Sequence, residues 1–421
     1  MASTVVERYG SLSAVGVAKE TTFGTPVTPT EFAPFTDATL ESDPGLFYPP
    51  VVMGVRDVNV FALYGQRKNT GDISAPFYPT NGASLWTAAM GADGGALGST
   101  GGYGVVPGSG VTTSNSTTLS AAVGSVGATS VSITSATGYV QGGYIVIDVN
   151  NTTTPTTSEI RKISNVSGTT ITLDSALNFT HANGAAVKFI AAAASPLNFT
   201  HTILSTNTLP SLTVEKNIGG YQSIQFAGSR VGKYNLKLAA GDSPAEFSAS
   251  IVSQTPTVLT SPSPISVVNE SPFVFAEATL GLFGNSNVAQ VMSVNLDLEN
   301  GLKPTYTFNG SHDLQFLTPL TRKVTGQIEV VFTSLNDADW GYYTKMQNQT
   351  QGSLTLTMAH PSSGSSFTIS LPQINIAKYA DALKLEDVVM TTLDFEASYA
   401  LGAAVPSTIS STMTNGKYLP Y

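Results

Sequence analysis

The stretch Ser293-Val294-Asn295-Leu296-Asp297-Leu298-Glu299-Asn300 alternates polar and apolar residues without an error. A β-strand sends successive side chains to opposite faces, so Val294, Leu296 and Leu298 share one face while Asn295, Asp297 and Glu299 share the other. Such a strand belongs at the boundary between an apolar core and water, and its wet face is acidic. The same period recurs along the chain. Leu212 and Val214 alternate with Thr213 and Glu215; Tyr234, Leu236 and Leu238 with Asn235 and Lys237; Phe247, Ala249 and Ile251 with serines. Further on, Ile328, Val330 and Phe332 alternate with Gln327 and Glu329, and Leu354, Leu356 and Met358 with threonines. Val389, Leu393, Phe395, Ala397 and Tyr399 carry Asp394 and Glu396 on their opposite side. Short alternating runs bounded by Gly, Pro, Asn and Ser predict antiparallel sheets arranged as a sandwich or barrel, a mainly β fold.

Two stretches depart from period two. Gly82 to Met90 reads as a helix, with Thr80 or Asn81 as its cap and Gly91 as its stop. The second lies in SLNDADWGYYTKMQNQ, residues 334–349, where Ser334 or Asn336 can cap and Asp337 and Asp339 complement the helix dipole. Trp340, Tyr343 and Met346 then share a face directed to a sheet.

A chain of 421 residues has room for two or three domains, each burying its own core. The absence of cysteine removes disulfides, thiolate metal sites and cysteine nucleophiles together. Charged residues make up 11% of the chain, against about 25% in ordinary soluble domains. A surface so weakly ionic suits extensive contact between copies better than a freely diffusing monomer. The formal net charge is −9, and no run of Lys and Arg is interleaved with aromatics, so a surface that grips nucleic acid has nothing to be made from. MASTVVERYG lacks a basic segment followed by an apolar one, and no apolar run approaches the ~20 residues of a membrane span; neither export by a signal peptide nor a membrane span is expected. The histidines, His181, His201, His312 and His360, have no metal-ligand spacing. Asp337-x-Asp339 is followed by no further oxygen ligands, and Gly108-Ser109-Gly110 has no triad around it. Neither a cofactor, a metal nor an enzymatic activity is expected.

Composition divides the chain. Residues 1–93 form the first part of a host domain, 94–111 a Gly-rich linker, 112–194 an inserted small all-β module, 195–401 the second part of the host, and 402–421 a C-terminal tail. The insert carries Asp148, Glu159 and Asp174 against Arg161, Lys162 and Lys188, so the whole negative excess belongs to the host. LNFTH occurs at 177–181 and at 197–201, but the likeness stops at five residues and is read as coincidence.

Several host segments carry a resemblance. VGVAKETTFGTPVTP at 15–29 leads through Lys19-Glu20 and the turn Phe23-Gly24-Thr25-Pro26 into a first sheet, and GDISAPFYPTNGASLWTAAMG at 71–91 gives strand, Pro turn and helix. LPSLTVEKNIGG at 209–220 precedes the strand with Gly228 and Arg230, and SVNLDLENGLKPTYTFNGSHDL and LTRKVTGQIEVVFTSLNDADWGYYTKM follow. In these, residues 12–92 and 196–401 resemble the major tail tube proteins of long-tailed, siphovirus-like bacteriophages. The resemblance implies a tail-tube β-sandwich or barrel with one or two flanking helices, and a place in the virion tail after assembly in the host cytoplasm. It further implies homo-hexameric rings stacked into a tube, with terminator, tape measure and distal tail proteins as partners. Double-stranded DNA would pass through without specific binding. The insert is similar to small β-modules displayed on the outside of phage structural proteins.

On that resemblance Asp297, Glu299, Glu329, Asp394 and Glu396 are candidates to line the lumen; an ordinary solvated outer face is the other reading. Arg67 and Lys68, in LYGQRKNTGD, form either a solvated hairpin tip or a contact with an acidic partner on the next ring. ESDPGLFYPPVVMG, residues 41–54, is too Pro-rich for a sheet interior yet carries Leu46, Phe47, Tyr48 and Val51, which marks it as an intersubunit loop. The alternative function is a surface-exposed β-protein that binds a receptor or carbohydrate, with a polysaccharide hydrolase more distant.

Overall fold

The strand Val291–Glu299 lies inside an antiparallel sheet, paired on one side with Gln222–Ala239 and on the other with Lys323–Val331. Glu246–Ser253 and then Lys68–Pro76 extend the sheet in the first direction; Met390–Ala397 and then Ser366–Ala382 extend it in the second. These pairings come from a computed structural model that describes residues 9–51, 54, 56, 61–93, 106–107, 113–148, 158–191, 198–337, 340–383, 388–402, 407–419 and 421. Apart from 106–107, the Gly-rich linker 94–111 lies outside the described residues, as does Asp339. The alternation read from the sequence holds in five of these strands, Gln222–Ala239, Glu246–Ser253, Val291–Glu299, Lys323–Val331 and Met390–Ala397. Leu236, Phe247, Ala249, Ile251, Leu296, Leu298, Ile328, Leu393 and Phe395 are buried in one core, and the polar partners face away. The fold is mainly β, as the periodicity predicts.

Two strands are long enough to serve two layers. The first half of Gln222–Ala239 pairs with Leu212–Ile218 and Thr255–Leu259, its second half with Glu246–Ser253 and Val291–Glu299. The changeover is at Gly228, whose φ is +62°, a conformation that only glycine adopts without cost. A Cβ there would stand 2.7 Å from the Cβ of Gln254. The buried carboxylate of Glu20 accepts from the Gly228 amide at 2.8 Å, the Gly24 amide at 3.0 Å and the Thr213 hydroxyl at 2.9 Å. The turn Phe23-Gly24-Thr25-Pro26 is thereby tied to the bend that moves the chain from one layer to the next.

Between the layers lies α1, Ala83–Met90, which is buried on nearly every side. Its stop is Gly91, as expected, but neither Thr80 nor Asn81 caps it with a side chain. Their backbone amides donate instead to the carboxylate of Glu270, at 2.8 and 2.9 Å. A partner 190 residues away does the work of a local cap, which no local pattern could reveal. Trp86 is the centre of the packing, edge-on to Tyr234 and Phe367 with centroids 5.2 and 5.4 Å away. Its indole N–H donates to the Ser411 hydroxyl at 2.8 Å.

The second helix is shorter than the 334–349 stretch suggested. α2 spans only Tyr342–Gln347, because Ser334 and Asp337 accept from the amides of Asp337 and Trp340 at 3.2 and 3.0 Å and hold turns ahead of it. Such side chains compete with helix for the backbone. Trp340 and Met346 pack on the core, and Tyr343 meets the Tyr379 ring edge-on at 5.5 Å. The 402–421 segment also differs from a plain tail. Ser410–Asn415 is a strand between Phe199–Ser205 and Ser366–Ala382, with Met413 and Tyr421 buried.

Between Thr113 and Ile190, the stretch expected to be an insert, six strands form a separate sheet around Leu119, Ile133, Ile145, Ile163, Ile171 and Phe189. This small sheet is not free of the larger one. Val146, Ile160 and Ile190 form a small cluster with Phe199 of the host, joined by Tyr144 and Tyr418. The Tyr144 ring lies 5.4 Å from that of Phe199 and 5.1 Å from that of Tyr418, whose hydroxyl donates to Asp174.

Trp86→Ala removes the largest buried side chain and leaves the Ser411 hydroxyl without its donor. A loss of about 3–5 kcal/mol is expected in chemical denaturation of the subunit. A loss under about 1 kcal/mol would mean that α1 does not organise the core.

Candidate functional site

All five predicted acids lie on one face of the seven-stranded sheet, in adjacent rows of its register. Asn235, Asp297, Thr325 and Glu396 stand side by side across four strands; Lys233, Glu299 and Lys323 form the next row. Lys237, Asn295, Gln327, Asp394 and Lys378 form another, and Ser293, Glu329 and Thr392 the last. The acids are solvated to different degrees. Glu299 and Glu396 are exposed, whereas Asp297, Glu329 and Asp394 are half-buried among polar neighbours. Asn235 donates to Asp297 at 3.0 Å, Gln327 to Asp394 at 2.7 Å and the Ser293 hydroxyl to Glu329 at 3.4 Å.

The register also brings lysines onto this face, which charge counting along the sequence had missed. Lys233 Nζ lies 3.1 Å from Asp297 and Lys323 Nζ 3.6 Å from Glu396. Lys237 stands opposite Glu246, and Lys378 opposite Asp394. Exposed pairs of this kind contribute about 0–1 kcal/mol each, so they do little for stability. Their effect is on the field. Each lysine lies beside or opposite an acid, and the acids Asp72, Glu246, Asp297, Glu299, Glu329, Asp394 and Glu396 outnumber them. Parity alone had placed Lys237 here, since it alternates with Leu236 and Leu238; its neighbours across the sheet were not readable.

The proposed loop residues gather at one end of the same strands. Leu46–Phe47 pairs with Leu63–Tyr64 as a ribbon of two residues per strand. Leu46, Phe47, Tyr48 and Val51 are exposed, as are Phe61, Leu63 and Tyr64. Lys68 is exposed opposite Asp43. Arg67 has its acid within its own chain, with Nη1 lying 3.1 Å from Asp313. The Arg67 amide donates to the His312 carbonyl at 2.9 Å, and its carbonyl accepts from the Tyr306 hydroxyl at 2.9 Å.

Three histidines have carboxylate partners that the sequence did not show, because the partners lie 22 to 108 residues away. His201 contacts Asp93 at 2.7 Å and the Lys417 carbonyl at 2.8 Å; His360 contacts Glu277 at 2.7 Å and the Ser271 carbonyl at 3.0 Å. His181 stands between Asp148 and Glu159, each at 2.8 Å, and Glu159 also accepts from Arg161 at 2.6 Å. Burial pulls the His181 imidazole down, but hydrogen bonds and charge from Glu159 and Asp148 outweigh it and hold it above its ordinary value. The two acids bind opposite nitrogens of one ring, so their oxygens do not converge. Among the described residues no group of three or more His, Asp or Glu is placed to hold a metal.

A family model described as phage tail tube protein matches residues 10–397. No curated protein matches the chain.

Because its folded value is raised, His181 contributes stability that is complete below its unfolded value of about 6.5 and is lost as pH rises through the folded value. His181→Gln should therefore lower the melting temperature of the insert's transition more at pH 6 than at pH 9. An equal loss at both would show that the imidazolium is not what joins Asp148 to Glu159.

Proposed function

Because the chain belongs to the phage tail tube protein family and so to the virion tail, we propose that six copies close into a ring, that rings stack into a tube, and that viral double-stranded DNA passes through its bore. The face that carries Asp297, Glu299, Glu329, Asp394 and Glu396 lines the bore. The observation that supports this most is the register, which gathers five acids scattered over 100 positions of sequence onto one unbroken polar face.

A duplex carries one negative charge per ~1.7 Å, and cations free to neutralise phosphates would hold it through counterion release. A conduit must not hold its cargo. One carboxylate at ~10 Å contributes only about 0.4 kcal/mol of repulsion in water, and a Debye length of ~8 Å reduces it further. No single acid decides the matter; the summed field of repeated rings does. Lys233 and Lys323 fit this scheme because Asp297 and Glu396 already occupy them.

Ring closure meets a second need. The long sheet ends at Lys68–Pro76, covered among the described residues only by the short strands Asp37–Ala38 and Glu41–Asp43. Exposed borders of this kind invite uncontrolled pairing, and a closed ring of copies removes them. The insert sits on the tube exterior. Terminator, tape measure and distal tail proteins meet the tube at its ends or within it, and the role is structural, without catalysis.

Negative-stain microscopy of the purified protein should show stacked hollow rings with six-fold end views; persistent monomers would overturn the proposal. Assembled wild-type tubes should retain no linear duplex at low salt. Asp297→Lys, Glu299→Lys, Asp394→Lys and Glu396→Lys combined should retain it, with a steep salt dependence. Wild-type tubes that retain DNA would contradict the repelling bore. Excision of 112–194 should leave ring formation intact once Phe199→Ser and Tyr418→Ser cover the apolar contact that the insert leaves behind; failure of that variant to close rings would place the module in the ring itself.

A further inference from the structure

Leu302–Thr305 pairs with Phe316–Pro319 as a hairpin that follows the strand Val291–Glu299 at its acidic end. Its loop, 306–315, is fastened from inside. Leu314 is buried, as is Leu317 just beyond the loop. The Tyr306 hydroxyl donates to the Arg67 carbonyl at 2.9 Å, and Asp313 lies 3.1 Å from Arg67. Across the tip, the Asn309 side chain donates to Gln315 and accepts from the Ser311 amide at 3.1 Å, while the Gln315 amide donates to the Thr305 carbonyl at 2.8 Å. These bonds hold one large apolar side chain outward: Phe308 is fully exposed. An aromatic ring buries about 150–250 Å² when it finds a socket, and a loop already rigid loses little freedom on docking.

A socket of matching character exists on the same chain. A groove of about 830 Å³ has Leu12, Phe35, Asp37, Ile218, Ile265 and Val267 among its described lining residues. Its wall at 263–270 is as firmly set as the knob. Glu215 accepts from the Ser263 amide and hydroxyl, the Val268 carbonyl accepts from the Asn81 side chain at 3.2 Å, and Glu270 takes the amides of Thr80 and Asn81. Ile265 and Val267, between these anchors, are 49% and 47% exposed.

Three observations make a second copy of this chain the occupant. The family to which the chain belongs assembles with itself. The two features also stand at different levels of the subunit. The hairpin adjoins the Lys68 end of Lys68–Pro76 through Arg67, whereas Asp37 in the groove pairs with Ser74, roughly 20 Å along that strand at ~3.3 Å per residue. Copies repeated in one direction bring such a knob to such a groove at every junction, and that arrangement yields an open stack. Charge agrees as well: Lys303 on the hairpin and Asp37 in the groove are both exposed, opposite in sign, and outside the ion pairs found among the described residues.

We propose that Phe308 of one copy enters the groove at Ile265 and Val267 of a second copy in the next ring, with Lys303 facing Asp37 across the junction. The proposal rests on the tube reading, which the test keeps separate.

Phe308→Asp removes the knob; Ile265→Asp with Val267→Asp spoils the groove. All three side chains are exposed, so melting temperatures should stay at the wild-type value. Phe308→Ala, and Ile265→Ser with Val267→Ser, repeat the test with less risk to the fold. Each variant should give single rings and no tubes. Rings of the two kinds, formed separately and then mixed, should give particles of two rings and nothing longer, since only one good junction can form. Lys303→Glu or Asp37→Lys should each raise the protein concentration needed for tube growth about tenfold, equivalent to ~1.4 kcal/mol, and the two together should restore it. Tubes of wild-type length from the knob or groove variants would overturn the proposal while leaving the tube reading in place. So would loss of the rings themselves from folded variants, or charge reversals that are no better combined than alone. Absence of hollow stacks from the wild type would overturn the tube reading, and the proposal with it.

Discussion

The pleat of one antiparallel sheet ties together the two things this chain must do. Alternation along each strand sends one set of side chains into the core around Trp86 and the other set to a polar face, and neither set can move without the other. A slip of one residue in Val291–Glu299 would bury Asp297 and expose Leu296 and Leu298. The same register that seals the core therefore fixes the spacing of the acids. Stability and surface charge are two readings of one geometric constraint.

That constraint needs a chain able to pass from layer to layer without ending its strands. Gly228 supplies the turn of φ, and Glu20 holds it with three hydrogen bonds from segments far apart in sequence. Buried and half-buried acids recur as structural knots in this molecule. Glu215 accepts from the Ser263 amide and hydroxyl at 2.8 and 2.6 Å, Glu270 closes the start of α1, and Glu159 gathers Arg161 and His181. Only carboxylates left over from these duties are available to the open face. A net charge of −9 thus overstates how much negative potential any one surface carries.

What was legible in the sequence was whatever depends on neighbours in the chain. The parity of Asp297 and Glu299 against Leu296 and Leu298, the stop at Gly91 and the exposure of Phe47 and Tyr48 follow from residues within a few positions of one another. What was hidden depends on residues brought together by folding. The cap of α1 comes from Glu270, the partner of Arg67 is Asp313, and Lys323 meets Glu396 only because two strands lie side by side. The strand Ser410–Asn415 was hidden for another reason. Its residues are mainly Ser and Thr with a single large apolar side chain, Met413, so its alternation carries almost no hydropathy contrast. The loose boundaries of 334–349 reflect local competition, in which Ser334 and Asp337 spend their side chains on turns.

The most direct measurement is a cryo-electron microscopy map of the assembled protein at a resolution that shows side chains. The account predicts a hollow, six-fold assembly whose bore is lined by Asp297, Glu299, Glu329, Asp394 and Glu396, with Lys233 and Lys323 folded back onto their acids. A bore lined by other strands, or this face turned outward or packed against a neighbouring subunit, would contradict it.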